Sequence, residues 1–314
     1  MIMNKTIVSI PENPIIDYHS PVLFMGSCFS EHLSDKMMQS GFSIQKNPFG
    51  VVFNPISLAQ FFRFTDQEIM DSVFSRADVA LSWLTNSSCF AYTEAELKTN
   101  LTLQRREFIH SVSQAKVMFV TLGTAWVYQK KNTDYTVGNC HKVPKDNFEK
   151  RLLSVGEITA KWTAVIDELR RKNKDLDIIF TVSPVRHTKD GAMENARSKA
   201  ILLEAVHQLK DQNHCVDYFP AYELMMDEMR DYAYYSKDGV HPNDIAIDEI
   251  WKRFQATYFM KETQDICTEF TALRQLLQHR SIHPDSSASK QFVKDREMKW
   301  EDFKQQYPFV MADF

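Results

Sequence analysis

The chain has 314 residues, 44% hydrophobic and 25% charged, the composition of an ordinary globular protein with one large domain or two small ones. A formal net charge of −4 and a pI near 6.2 argue against a nucleic-acid binder, which carries a basic face. No apolar run is long enough to span a bilayer, so no membrane partner is expected.

The five cysteines, Cys28, Cys89, Cys140, Cys215 and Cys267, are scattered, odd in number and form no C-x-x-C pair. Neither a disulfide framework nor a zinc site is expected, and no other metal or cofactor is called for. The first residues show neither the apolar core nor the cleavage site of a secretory leader, so the expected setting is cytoplasmic.

Residues 1–20 hold Pro11 and Pro14 and read as an extended arm lying on the domain. Val22–Met25 is an apolar run that meets Gly26-Ser27, after which Phe29 and Leu33 open a helical pattern ending near Gly41. This predicts a buried first strand turning sharply into a helix. Phe42–Lys46 alternates and predicts a second strand, followed by the rigid loop Asn47–Pro55 and a helix through Ser57, Leu58, Phe61 and Phe62. Residues 63–110 read as an insertion, with short strands at Ala80–Leu84 and Cys89–Thr93. Phe108–Ala115 reads as helix.

Val117–Leu122, Asp177–Val182 and Val216–Phe219 predict strands three to five, and Tyr128–Pro144 reads as polar and irregular. Ser154-Val155-Gly156-Glu157 is a capping box, and helices are expected behind it, over 195–210 and through Ala246–Phe254. Alternation of strands and helices predicts an α/β domain, residues 1–260, with a five-stranded parallel sheet and helices on both faces. Ligands then bind beyond the strands' carboxyl ends, where Ser27, Gly50, Gly123 and Ser183 fall. Residues 261–314 form a helical extension, with a polar linker at Ser281–Ser289. It packs on the domain or on a second subunit, so a homo-oligomer is compatible with the sequence.

Ser27 follows a strand and precedes a helix, where a hydroxyl is presented outward and backbone N–H groups are free to meet negative charge. On this stretch alone a helix cap is the better explanation. The second signal is Asp238-Gly239-Val240-His241, in a loop before a helix. A carboxylate three residues before an imidazole can fix its tautomer and leave the other nitrogen to take a serine's proton.

Gly26-Ser27-Cys28-Phe29-Ser30 resembles the name-giving motif of the GSCFA-domain family. Asn47-Pro48-Phe49-Gly50, Leu122-Gly123-Thr124, Asn139-Cys140-His141-Lys142, Ser183–His187 and Asp238–Pro242 resemble its other blocks, in order, over roughly residues 20–255. That family is placed within the wider SGNH (GDSL-like) hydrolases. The resemblance implies a three-layer α/β/α, flavodoxin-like fold, with Ser27 as nucleophile, His241 as general base and Asp238 as its orienter. It also implies an oxyanion hole made of the Ser27 and Gly50 N–H groups and an asparagine amide.

The third block departs from the pattern: Gly123-Thr124-Ala125-Trp126 stands where Gly-x-Asn-Asp is expected. Asn139 is the first choice for the missing amide, with Asn54 and Thr124 as alternatives. Cys28 beside Ser27 admits a thiol mechanism. His141 and His187 either bind substrate or are loop residues satisfied by backbone, and Arg186 either holds a polar substrate or forms a structural ion pair. Trp126 offers a face on which a sugar ring can stack. The reading is a serine ester hydrolase acting on O-acyl esters of a carbohydrate or another small substrate. Acyl transfer and a silent glycan- or partner-binding module are the alternatives.

Overall fold

The computed structural model describes residues 6–133, 135–279 and 282–311. The first five residues of the expected arm, and Ser281 at the start of the expected linker, lie outside these. Five parallel strands form the central sheet in the order β2-β1-β5-β8-β9. They are β1 (Val22–Gly26), β2 (Ile44–Lys46), β5 (Val117–Leu122), β8 (Asp177–Val182) and β9 (Val216–Tyr218). Two antiparallel hairpins stand outside it: β3 (Val73–Arg76) with β4 (Val79–Ser82), and β6 (Trp126–Lys130) with β7 (Phe148–Leu152).

The helices are α1 (Cys28–Gln39), α2 (Pro55–Gln60), α3 (Asp66–Ser72), α4 (Glu94–Gln114) and α5 (Val155–Lys172), then α6 (Ala192–Gln212), the short α7 (Ala221–Glu223), α8 (Asp244–Tyr258), α9 (Lys261–Gln278) and α10 (Ser287–Gln306). Side chains alternate across the strands and so build two cores. Leu23, Met25, Met118, Val120, Ile178 and Phe180 face α4, α5 and α6, with Trp162 of α5 wholly buried and its indole N–H donating to Pro55 O at 3.0 Å. Phe24, Phe119 and Ile179 face the opposite way, against Phe29 and Leu33 of α1 and Ile250 and Phe254 of α8. These are the expected three layers.

The amino-terminal arm is held by backbone bonds from Asn13, Ile15 and Ile16 to the carbonyls of Thr257 and Tyr258. The carboxy-terminal segment returns to α1. Met311 N–H donates to Gly41 O at 2.8 Å, and the Tyr18 hydroxyl lies 3.2 Å from the Cys267 sulfur of α9.

Two local expectations are corrected. The partner of the strand at Ala80 is residues 73–76, and Cys89–Thr93 contributes a single bridge from Ala91 to Ala80. The hairpin turns at Ala77, whose φ of 50° is unusual for a residue with a Cβ, so no turn signal marks it. Residues expected to be irregular after Tyr128 begin within β6 and lead to β7, whose Glu149, Lys150 and Arg151 interrupt any apolar alternation.

The strand-to-helix elbow depends on Gly26. Its φ is +131°, and an added Cβ would lie 2.2 Å from Thr121 O on the neighbouring strand. Gly26→Ala is expected to cost roughly 3 kcal/mol or more, combining a glycine-only backbone with overpacking. Gly156→Ala, where nothing lies within 4 Å, is expected to be neutral or slightly stabilising. Urea unfolding of the two variants measures the difference, and equal effects would contradict this account of the elbow.

Candidate active site

The carboxyl ends of β1, β5 and β8 meet on one rim. At β1 the ladder runs one residue past Gly26, because Ser27 N–H donates to Thr121 O at 3.1 Å. Ser27 then occupies the N-cap position of α1, yet its side chain makes no capping bond. The hydroxyl is buried without a partner among the described residues, and Ser27 is 1% exposed. The capping explanation of Ser27 therefore fails. Cys28 opens α1 half-buried. Burial, and then the nearby Glu31, push its thiol pKa up.

Asn47 clips the elbow from the β2 side. Its N–H donates to Phe24 O, and its side-chain oxygen accepts from Gly26 N–H, both at 2.8 Å. Asn47 was legible as part of a rigid Asn-Pro loop, but nothing in that pattern marked it as the support of Gly26.

Asp238 and His241 meet as expected. His241 Nδ1 lies 2.7 Å from Asp238 Oδ2, and Asp238 Oδ1 accepts from the N–H groups of Val240 and His241 at 2.9 and 3.0 Å. The backbone bonds from His241 and Val240, and then the imidazole bond, hold the carboxyl down to about 2, so it stays ionised over the working range. This leaves His241 Nε2 as the ring atom without a partner among the described residues. The turn adjoins the rim. Arg186 N–H donates to Val240 O at 3.3 Å, and the His241 charge bears on both His32 of α1 and His187. The Asp238–His241 turn thus packs against the loop that follows β8.

Several expected site residues are engaged elsewhere. Gly50 N–H closes a turn onto Asn47 O at 2.8 Å, so neither it nor the Ser27 N–H is a free oxyanion donor. Asn54 caps α2: its Oδ1 accepts from Ser57 N–H at 2.8 Å, and its Nδ2 donates to the Ser57 hydroxyl at 3.1 Å. One of its two amide N–H groups is thereby engaged, and the residue lines a cavity with Thr124 and Asn139. His141 is 4% exposed, with Nδ1 2.9 Å from Ser87 Oγ and Nε2 2.7 Å from Ser82 O, and it holds the insertion to its loop rather than facing substrate.

Thr124, Trp126 and Asn139 line a cavity of about 410 Å³. The Thr124 hydroxyl lies 3.1 Å from Ser198 Oγ, and Asn139 Oδ1 accepts from His141 N–H at 2.7 Å. Arg186 is half-buried beside Tyr222 and Tyr235.

A polar stripe on α6 fastens the rim. Asn195 Oδ1 accepts from His187 N–H, Ser198 Oγ accepts from Ala125 N–H, and Lys199 Nζ donates to Gly123 O at 2.8 Å and Ser183 O at 2.6 Å. Asn195, Ser198 and Lys199 continue the buried face that Leu202, Ala205 and Val206 carry farther along. A lysine on an apolar helical stripe was the signal that could have revealed this. His187 packs its edge on Phe53 at 5.8 Å, and burial, then Lys199 and His241, pull its pKa down to about 4. It is therefore a neutral imidazole on the rim.

Burial pulls Lys199 from 10.5 to about 7. Between those values the unfolded chain binds more protons than the folded one, so this residue's contribution to stability rises with pH across the window. The unfolding free energy of the natural chain minus that of Lys199→Met is expected to increase from pH 7 to about pH 9. A difference that stays flat or falls would contradict this assignment.

No curated protein matches the chain. Solved structures that resemble it include a family 3 carbohydrate esterase from Clostridium thermocellum, 12% identical, with 79% of this chain and 97% of that one covered and a TM-score of 0.34. An acetyl xylan esterase from the rumen bacterium Butyrivibrio proteoclasticus is 10% identical, with 84% and 66% covered and a TM-score of 0.39. Residues 21–254, which contain both the elbow and the Asp238–His241 turn, match the GSCFA family along most of the chain. The chain belongs to the GSCFA family.

Proposed function

We propose that the protein is an ester hydrolase working through an acyl-enzyme, with Ser27 as nucleophile, His241 as general base and Asp238 as its orienter. The supporting observation is a pairing. A hydroxyl at a helix start makes no cap and no other bond among the described residues, and a turn bonded to the loop after β8 carries an imidazole oriented by an ionised carboxylate. A buried hydroxyl without a partner calls for an explanation, and a nucleophile awaiting its base is one. Such bonds are often long or unmade before substrate arrives.

In the proposed reaction Ser27 Oγ attacks the ester carbonyl carbon as its proton passes to His241 Nε2. The tetrahedral intermediate collapses, and His241 returns that proton to the departing alcohol. Water then attacks the acyl-serine, giving up a proton to the same nitrogen, and the carboxylic acid leaves as Ser27 regains its hydrogen. With the Gly50 and Ser27 N–H groups engaged and Ser30 N–H bonded to Ser27 O, the N–H groups of Cys28 and Phe29 at the start of α1 are the donors proposed for the oxyanion. The substrate class proposed is an O-acyl ester of a carbohydrate, with acyl transfer to a second alcohol as a variant of the same chemistry.

One observation favours a second reading. Cys28 is half-buried, whereas Ser27 is 1% exposed, so a thiol at the same elbow is easier to reach. Its raised pKa weighs against it, because the thiolate is the reactive form.

Fluorophosphonate labelling mapped by mass spectrometry is expected to mark Ser27. A label on Cys28 would transfer the mechanism to the thiol, and no label at either would favour a binding module. With an aryl acetate as substrate, Ser27→Ala and His241→Ala are each expected to lower kcat on the order of 10³-fold or more, and Asp238→Asn by less. Unchanged rates in the first two would remove the proposal.

A further inference from the structure

The cavity beside the rim has a composition that the proposed chemistry does not require. Lys142, Lys145 and Lys189 line it, and among the described residues no Asp or Glu does. None of the three lysines is in an ion pair within the described chain, and all are exposed. Asp190, next to Lys189 in sequence, is instead taken by Lys150. The floor is aromatic: Trp126 and Tyr128 lie under Lys150, at 4.6 and 5.8 Å from its ammonium. Among the described residues the buried Trp126 indole N–H has no acceptor, and the Asn139 amide NH₂ makes no bond.

The cavity joins the rim at Phe53. The Phe53 carbonyl accepts from the N–H groups of Gly123 and Thr124, and its ring meets His187, which feels the His241 charge. A ligand there would lie next to the loop after β8, whose Arg186 N–H bonds Val240 of the Asp238–His241 turn.

We infer that this cavity binds an acidic saccharide, a sugar bearing a carboxylate or phosphate, with the ring against Trp126 and the anion among Lys142, Lys145 and Lys189. The inference rests on the ester-hydrolase reading for its role, since the sugar would be the alcohol part of the ester. Three ammonium groups without counterions are unfavourable neighbours to one another, and an anion among them relieves that repulsion. Lysine acts as a mobile point charge and accepts either carboxylate or phosphate. The aromatic floor supplies an apolar face for the ring, and Asn139 supplies a donor for a hydroxyl oxygen.

The test is isothermal titration of the full chain with four unesterified probes: a galacturonate trimer, a galactose trimer, galactose 6-phosphate and inorganic phosphate. One or both of the acidic sugars is expected to bind at least about tenfold tighter than the neutral trimer, and to weaken as salt rises. Whether the carboxylate or the phosphate binds better identifies the anion. Lys145→Glu with Lys189→Glu should abolish the preference, and Lys145→Arg with Lys189→Arg should keep it, which separates charge from loss of fold. Equal binding of acidic and neutral trimers, absence of binding by every probe, or no effect of the double charge reversal would overturn the inference. So would inorganic phosphate binding as tightly as the sugar phosphate. These probes carry no ester, so a negative result leaves hydrolysis at Ser27 standing. Conversely, an unreactive Ser27 with intact saccharide binding removes only the esterase reading.

Discussion

The site depends on how closely two parallel strands approach at Gly26. With no Cβ and a φ of +131°, Gly26 lets its backbone pass against Thr121, and the chain can then turn from strand to helix within one residue. Ser27 inherits that geometry. Its N–H stays in the ladder, while its side chain is carried to the carboxyl edge of the sheet. Asn47 holds the same glycine from the other side, accepting its N–H. A larger residue at position 26 would push β1 from β5, and the hydroxyl would lose its place over the rim.

The opposite wall is built at some cost. Lys199 is 1% exposed, and burying an ammonium is unfavourable unless its donors are met. Here they reach the carbonyls at the ends of β5 and β8, where the strands stop and the ladder no longer supplies partners. The same helix presents Ser198 to the loop after β5 and Asn195 to the loop after β8. One helix face is therefore apolar over the sheet and polar over its edge. That division keeps the loops carrying Thr124, His187 and the cavity wall in register with the elbow.

Much of this was legible in the sequence, because buried parallel strands announce themselves as apolar runs. The runs at Val117–Leu122 and Asp177–Val182 are strands over those same residues, and Gly26-Ser27 marked the elbow. Asp238 and His241 could be paired because the motif is local, three residues within one turn. What could not be read depended on longer-range partners. Whether the N–H of Gly50 was free depended on Asn47 closing a turn, and the side-chain oxygen of Asn54 was engaged as a helix cap. His141 has the composition of a site residue, but its surroundings are Ser82, Ser87 and two aromatic rings contributed by the insertion. The hairpin of β6 and β7 was hidden because charged residues occupy it. Short-range turn chemistry and apolar runs survive in one dimension, whereas occupancy of a hydrogen bond is a property of the folded neighbourhood.

The central claim is that the elbow and the Asp238–His241 turn act on a single bond. The most direct measurement is a crystal structure of the chain after reaction with a fluorophosphonate. The account predicts the phosphoryl group on Ser27 Oγ, an oxygen of the adduct facing the first N–H groups of α1, and His241 Nε2 within about 3 Å of the ester oxygen. An adduct on another residue, or a Ser27 adduct with His241 turned away and out of hydrogen-bonding reach, would contradict it.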